Sequence, residues 1–213
     1  MSTLLYIPLA NAENAPAVTA DRVSAFKVPL VCPAAPQIGC GSASKPILLD
    51  LERQPGVLEA WLNRAGTRIA VVWKADSDAE ARRKVAAELK EDRATELAGK
   101  SRDETVSDFL SGKGWYHGAD VDRLSEEEAD IIAARLVRWV GAKTTLANDK
   151  AEGLQRAFSD LLRKDLTGKS AEHKRLEEVA REYLDQDQIK ILKGAIKDEE
   201  AVESGERPVP KED

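Results

Sequence analysis

Two short runs, Val57–Asn63 (VLEAWLN) and Thr67–Trp73 (TRIAVVW), stand on either side of Arg64-Ala65-Gly66. Both are strand-like, and a glycine closing a three-residue loop turns an antiparallel hairpin. A hairpin alone is marginal in water, so this pair requires cover from the chain around it.

The flanking segments supply that cover. Residues 10–20 (ANAENAPAVTA) are small, polar and proline-containing and read as a linker. Val23–Val31 (VSAFKVPLV) reads as a strand, and Cys32–Ser44 (CPAAPQIGCGSAS), with two prolines and two glycines, as a loop. Ile47, Leu48 and Leu51 mark one helical face, with Ser44 as N-cap and Pro55-Gly56 as the stop. Asp76–Leu97 is charged and alanine-rich, with Val85 and Leu89 four apart, and reads as a second helix. The order strand, helix, strand, strand, helix is most of a split β-α-β unit, so the expected class is α+β with a ferredoxin-like β-α-β-β-α N-terminal domain. A fourth strand at the edge beside Val23–Val31 is not evident. The expectation is that Leu4–Leu9 covers that edge or packs against the adjoining face, with a short strand in Ala94–Ala98 as the competing candidate.

Beyond Gly99 the pattern changes. Ser101–Gly114 is polar with one apolar group, Val106, Phe109 and Leu110, and helical signals then take over. Ser125 and Glu128 have capping-box spacing ahead of Ile132, Leu136, Trp139 and Val140. Further stripes follow at Leu154, Phe158, Leu161 and Leu162, at Leu176, Val179, Tyr183 and Leu184, and at Ile189, Leu192 and Ile196. An all-helical domain is therefore expected over 100–198. The full division is a segment and linker at 1–22, the α+β domain at 23–99, the helical domain at 100–198 and a disordered acidic tail at 199–213. Trp61 and Trp73 read as sheet packing, Trp115 and Trp139 as cover for the domain junction.

Composition removes several function classes. Lys and Arg number 32 against 38 Asp and Glu, for a net charge of −6. That balance argues against a non-specific nucleic-acid binder. No apolar run approaches the roughly 20 residues of a membrane span. Two cysteines are too few for a disulfide-rich secreted scaffold. Met1–Ala12 has no Lys or Arg, and Pro8 interrupts its apolar run, so it reads as a short strand before it reads as a secretory signal. A cytoplasmic location is expected, with periplasmic export as the alternative. Asp120 and Asp122 begin like a calcium loop, but Leu124, Ser125 and Ile131 occupy positions five, six and twelve, so they read as solvated acids. His117 and His173 with two cysteines do not make a structural zinc set, and His117 beside aromatics reads as incidental.

Gln37–Lys74 resembles the heavy-metal-associated domain, whose members include copper chaperones, modules of metal-pumping ATPases and mercury-binding proteins. Setting Cys40 on the family's first cysteine puts Ile47 on its helix Ile and Gly56-Val57 on its Gly-Val pair. Ala60, Asn63, Ala70, Val71 and Trp73 then follow the hairpin pattern without a gap, and the resemblance extends over roughly residues 23–97 with the second helix. It implies a ferredoxin-like fold and a soft metal ion such as Cu(I) or Hg(II). Two positions depart: Ala43 stands where the family has its second cysteine, and Ile38 where it has methionine.

Cys32 offers a replacement sulfur. It lies eight residues before Cys40, and a loop over Pro33–Ile38 lets both converge at the start of the Ile47 helix, where the helix dipole favours thiolate. The competing reading makes Cys32 an inert core cysteine. The leading expectation is a soluble, thiol-dependent metal carrier, chaperone or sensor rather than an enzyme, binding a soft ion through Cys32 and Cys40. Its helical domain docks a protein partner or dimerises. The alternative from another class is a metal-free interaction or structural protein on the same scaffold. A third reading makes the two cysteines a redox pair.

Overall fold

A computed structural model describes residues 18–169, 175–204 and 206. The protein is α+β, with a five-stranded sheet among the described residues. Its strands are β1 (Val23–Lys27), β2 (Val57–Asn63), β3 (Arg68–Trp73), β4 (Thr95–Glu96) and β5 (Trp115–His117). They lie in the order β4-β1-β3-β2-β5, and every neighbouring pair is antiparallel. The helices are α1 (Gly41–Glu52), α2 (Ala79–Glu91), α3 (Gly99–Leu110), α4 (Asp122–Lys143), α5 (Asn148–Leu166), α6 (Leu176–Ala180) and α7 (Gln186–Glu203).

β3 shows why the hairpin sits where it does. Its residues from Ile69 to Trp73 are all buried, the mark of a strand covered on both faces. Ile69, Val71 and Trp73 point into the main core, with Phe26, Leu48, Leu62, Val85 and Leu136. Ala70 and Val72 point the other way, onto Val23, Ala25, Val106 and Trp115. The second face is covered by α3, whose Phe109 packs edge-on to Trp115 at 5.3 Å between ring centres and against Trp61 at 5.8 Å. The main cluster continues without interruption from Phe26 through Ile132, Leu136 and Phe158 to Leu192 and Ala195. Trp73 is fully buried, its indole N–H donating to Ser24 Oγ at 3.0 Å.

Several expectations need correction. The chain after residue 100 is not all helix, because β5 pairs with β2, setting Trp61 opposite His117 and Asn63 opposite Trp115. The expected boundary at 99/100 falls inside the first turn of α3, whose Val106 and Phe109 were needed to cover the sheet. The edge of β1 is taken by β4, with Phe26 opposite Glu96 and Lys27 opposite Thr95. Arg93 makes this possible. Its left-handed backbone (φ 61) ends α2 and lets the Ala94 N–H reach the Leu89 carbonyl at 3.0 Å, turning the chain back to the sheet. Leu4–Leu9, the other candidate for that edge, lies outside the described residues.

Two caps also differ. α1 starts at Gly41 with Cys40 as N-cap, and Ser44 instead lies in the first turn, donating to the Cys40 carbonyl at 2.7 Å. α4 starts at Asp122, because a 3-10 turn over Gly118–Val121 runs straight into it. Ser125 and Glu128 are therefore buried first-turn and second-turn residues instead of a capping pair. The boundary expected at 199 falls inside α7, which runs to Glu203, and Glu199 is buried. Asp185 supplies the capping box of α7 with Gln188. Among the described residues no helix is long and apolar enough to cross a membrane.

Candidate two-sulfur site

The chain leaving β1 stays extended. The Val28 N–H donates to the Thr67 carbonyl at 3.0 Å and the Leu30 N–H to the Gly66 carbonyl at 2.9 Å. It then folds back as a small hairpin. Pro36, with its φ pre-set for a turn, follows Ala35, whose carbonyl accepts from the Ile38 N–H at 3.0 Å. Cys32 N–H donates to the Ile38 carbonyl at 2.9 Å, Val31 bridges Gly39, and Cys40 N–H donates to the Leu30 carbonyl at 2.8 Å. In this register Leu30 faces Cys40 and Cys32 faces Ile38, so the two cysteines are diagonal neighbours on one face.

Two glycines fix the hairpin's seat. Gly66 has φ +68, and a methyl group there would lie 2.3 Å from the Leu30 carbonyl oxygen and 2.5 Å from Gly39 Cα. The turn of the β2–β3 hairpin thus presses directly on the cysteine hairpin. Gly41 abuts α4 in the same way, with the added methyl 2.4 Å from Ser125 Oγ and 2.7 Å from the Val121 carbonyl oxygen.

Both cysteines are free thiols, Cys32 buried and Cys40 half-buried. A hydrogen bond from the Cys32 thiol is the main cause that lowers Cys40 to about 5, against the opposing effect of burial. The Ser42 hydroxyl, 3.4 Å from the Cys40 sulfur, and the backbone N–H groups of Ala43 and Ser42 add to it. Cys32 is pushed up by the same hydrogen bond, then by burial and by the negative charge of Glu128. The pair therefore shares one proton: a buried thiol donates to a thiolate that solvent can reach, at the positive end of α1. Such an arrangement offers two sulfur donors to a soft ion, or one nucleophile and one reserve thiol.

The other residues singled out in the sequence lie elsewhere. His117 Nε2 sits 3.0 Å from Glu52 Oε1 and its ring is 4.9 Å from Trp61, so it joins β5 to α1. Asp122 pairs with Lys45 at 2.8 Å, and Asp120 is exposed. His173 lies outside the described residues. Among the described residues no group of three or more His, Cys, Asp or Glu side chains is placed to hold a metal ion.

Two residues that the sequence did not mark as part of the site lie beside it. Glu128, 5% exposed on α4, lies against Cys32. Arg135, one further turn pair along the same face, is 4% exposed and donates to the carbonyl of Ala34, inside the cysteine hairpin. The signal was present: Glu128, Ile132 and Arg135 fall at i, i+4 and i+7, which puts two charges on the core stripe of an amphipathic helix. Comparison with known protein families, with curated proteins and with solved structures finds no match for this chain.

Proposed function

We propose that this protein binds a soft, thiophilic metal ion, Cu(I) or Hg(II), between Cys40 and Cys32, and acts as a carrier, chaperone or sensor. The observation that carries the reading is the pair of diagonal neighbours at the N-terminus of α1, half-buried Cys40 beside fully buried Cys32, whose thiol hydrogen bond holds Cys40 low. Soft ions prefer thiolate donors, and a linear two-sulfur site requires no third ligand. Loading displaces the shared proton and leaves both sulfurs as ligands.

The reading extends the heavy-metal-associated resemblance and accounts for Ala43 in place of the family's second cysteine. Ala43 holds the family's second cysteine position but contributes its backbone N–H to Cys40, while the second sulfur comes from Cys32 in the hairpin between β1 and α1. A ferredoxin-like unit built from β1 to β4 is part of the proposal. It is supported by the order β4-β1-β3-β2, with α1 joining β1 to β2 and α2 joining β3 to β4. A reducing compartment such as the cytoplasm suits a site that needs both thiols free. The helices beyond β5 are assigned to a protein partner that gives or receives the ion.

The test is a Cu(I) titration of the full chain against a competing chelator. One equivalent should bind, with Cys40→Ser and Cys32→Ser each abolishing tight binding. Affinity no better than that of a free small thiol would end the reading. One observation favours a second reading, thiol–disulfide exchange: a half-buried Cys40, held low by its hydrogen bonds, lies beside a fully buried Cys32. Cys40 would attack a small-molecule disulfide, releasing one thiolate, and Cys32 would displace the second to close an internal disulfide. Counting free thiols after treatment with a glutathione-type disulfide separates the two readings.

A further inference from the structure

The hairpin that carries both cysteines is held from behind by a buried ion pair. Arg135 of α4 and Glu199 of α7 have side chains only 4% and 5% exposed. Arg135 Nη1 donates to Glu199 Oε1 at 2.9 Å and to Oε2 at 3.2 Å. Its other terminal nitrogen, Nη2, donates to the carbonyl of Ala34, midway between Cys32 and the turn at Pro36. Three segments far apart in the chain meet on one guanidinium. α7 reaches the site by burying Leu192, Ala195 and Val202 in the core.

We propose that Arg135 is a positioning residue for the two-sulfur site, and that docking of α7 controls the site's geometry through Glu199. This rests on the reading of Cys32 and Cys40 as the working pair. The chemistry explains the choice of residues. A guanidinium has a planar fork of donors that serves a carboxylate and a carbonyl at once, whereas a lysine ammonium is a point donor. A buried guanidinium needs a counter-charge, so its place against Ala34 depends on Glu199 being there. Displacing α7 removes that charge, and Arg135 then turns toward water and leaves the Ala34 carbonyl. The hairpin loosens and the sulfurs part. A partner that captures α7 would in this way weaken the hold on the ion, and loading would by linkage tighten α7.

Two variants of the full chain test this. Arg135→Lys keeps a cation for Glu199 but loses the fork. The double change Arg135→Met with Glu199→Leu removes both buried charges together, which folds commonly tolerate. Both should melt cooperatively, bind Cu(I) roughly 10- to 100-fold more weakly, as for loss of an outer support to metal ligands, and alkylate at Cys40 with a midpoint shifted toward the ordinary thiol range. Folded variants with unchanged affinity and an unchanged alkylation midpoint would overturn the inference. Should the unmodified protein bind no metal, the site reading fails by itself and the alkylation midpoint still judges the role of Arg135. Hydrogen exchange of the unmodified protein in low urea serves if the variants do not fold. Amides of residues 32–40 and of α7 should open as one unit, and opening of the hairpin while α7 stays protected would contradict the coupling.

Discussion

Replacing Gly66 with alanine probes the contact on which the candidate site is seated. Gly66 has φ +68, where an L side chain is strained by about 1–2 kcal/mol. The new methyl would also overlap the Leu30 carbonyl oxygen at 2.3 Å and Gly39 Cα at 2.5 Å, both backbone atoms with no rotamer to escape through. Relief requires the two hairpins to separate. That loosens the bonds from Leu30 N–H to the Gly66 carbonyl (2.9 Å) and from Gly39 N–H to the Arg64 carbonyl (2.7 Å). Each such bond is worth about 0.5–1.5 kcal/mol net, so the total loss is roughly 2–5 kcal/mol. At about 2–4 °C per kcal/mol for a chain of this size, Tm falls by roughly 4–20 °C. Gly112→Ala is the control. Its φ is +73, and nothing lies within 4 Å of an added methyl, so it carries the backbone strain alone. The entropy that alanine removes from the unfolded chain is common to both and cancels in the comparison. Urea unfolding of the two variants side by side measures the difference. A Gly66→Ala loss no larger than that of Gly112→Ala would refute the close approach of the hairpins.

Cys40 should alkylate rapidly with iodoacetamide above about pH 6, with a rate inflection near 5, whereas Cys32 should stay unmodified until the protein unfolds. Because the Cys40 value is depressed, its contribution to stability is fully present above the ordinary thiol range near 8.5 and is lost as pH falls through about 5. Urea unfolding of Cys40→Ser should therefore lack a stability change that the unmodified protein shows over that window. Trp73→Ala, which empties a fully buried site and strands Ser24 Oγ, should cost about 3–5 kcal/mol in the same assay. Limited proteolysis should spare residues 98–118, because α3 covers the sheet and β5 is paired to β2, and early cutting at Lys100, Arg102 or Lys113 would contradict that packing.

The central hairpin was legible to the residue in β2, since two short apolar runs on either side of a glycine turn leave few other structures for Val57–Trp73. α3 and β5 were not. A three-residue group such as Val106, Phe109 and Leu110 is too small to announce a helix that covers a sheet face, and Trp115–His117 is too short to show alternation. β4 was hidden for a different reason: its two residues are exposed, and the turn that delivers them depends on the left-handed backbone of Arg93. At the site, the eight-residue spacing and the prolines suggested that Cys32 and Cys40 converge, and the turn at Pro36 is the means. The core-stripe position of Arg135 was visible in the sequence, but its pairing with Glu199 was not, because two residues 64 apart leave no local pattern that joins them. Glu199 looked like the start of an acidic tail, although Leu192, Ala195 and Val202 continue the buried stripe around it.

X-ray absorption at the metal edge of the full chain, loaded with one equivalent of Hg(II) or Cu(I) and desalted, tests the two-sulfur claim most directly. The account predicts a coordination shell of two sulfur atoms and no nitrogen, lost in both Cys32→Ser and Cys40→Ser. A shell containing histidine nitrogen, or a protein that emerges from desalting without metal, would contradict it.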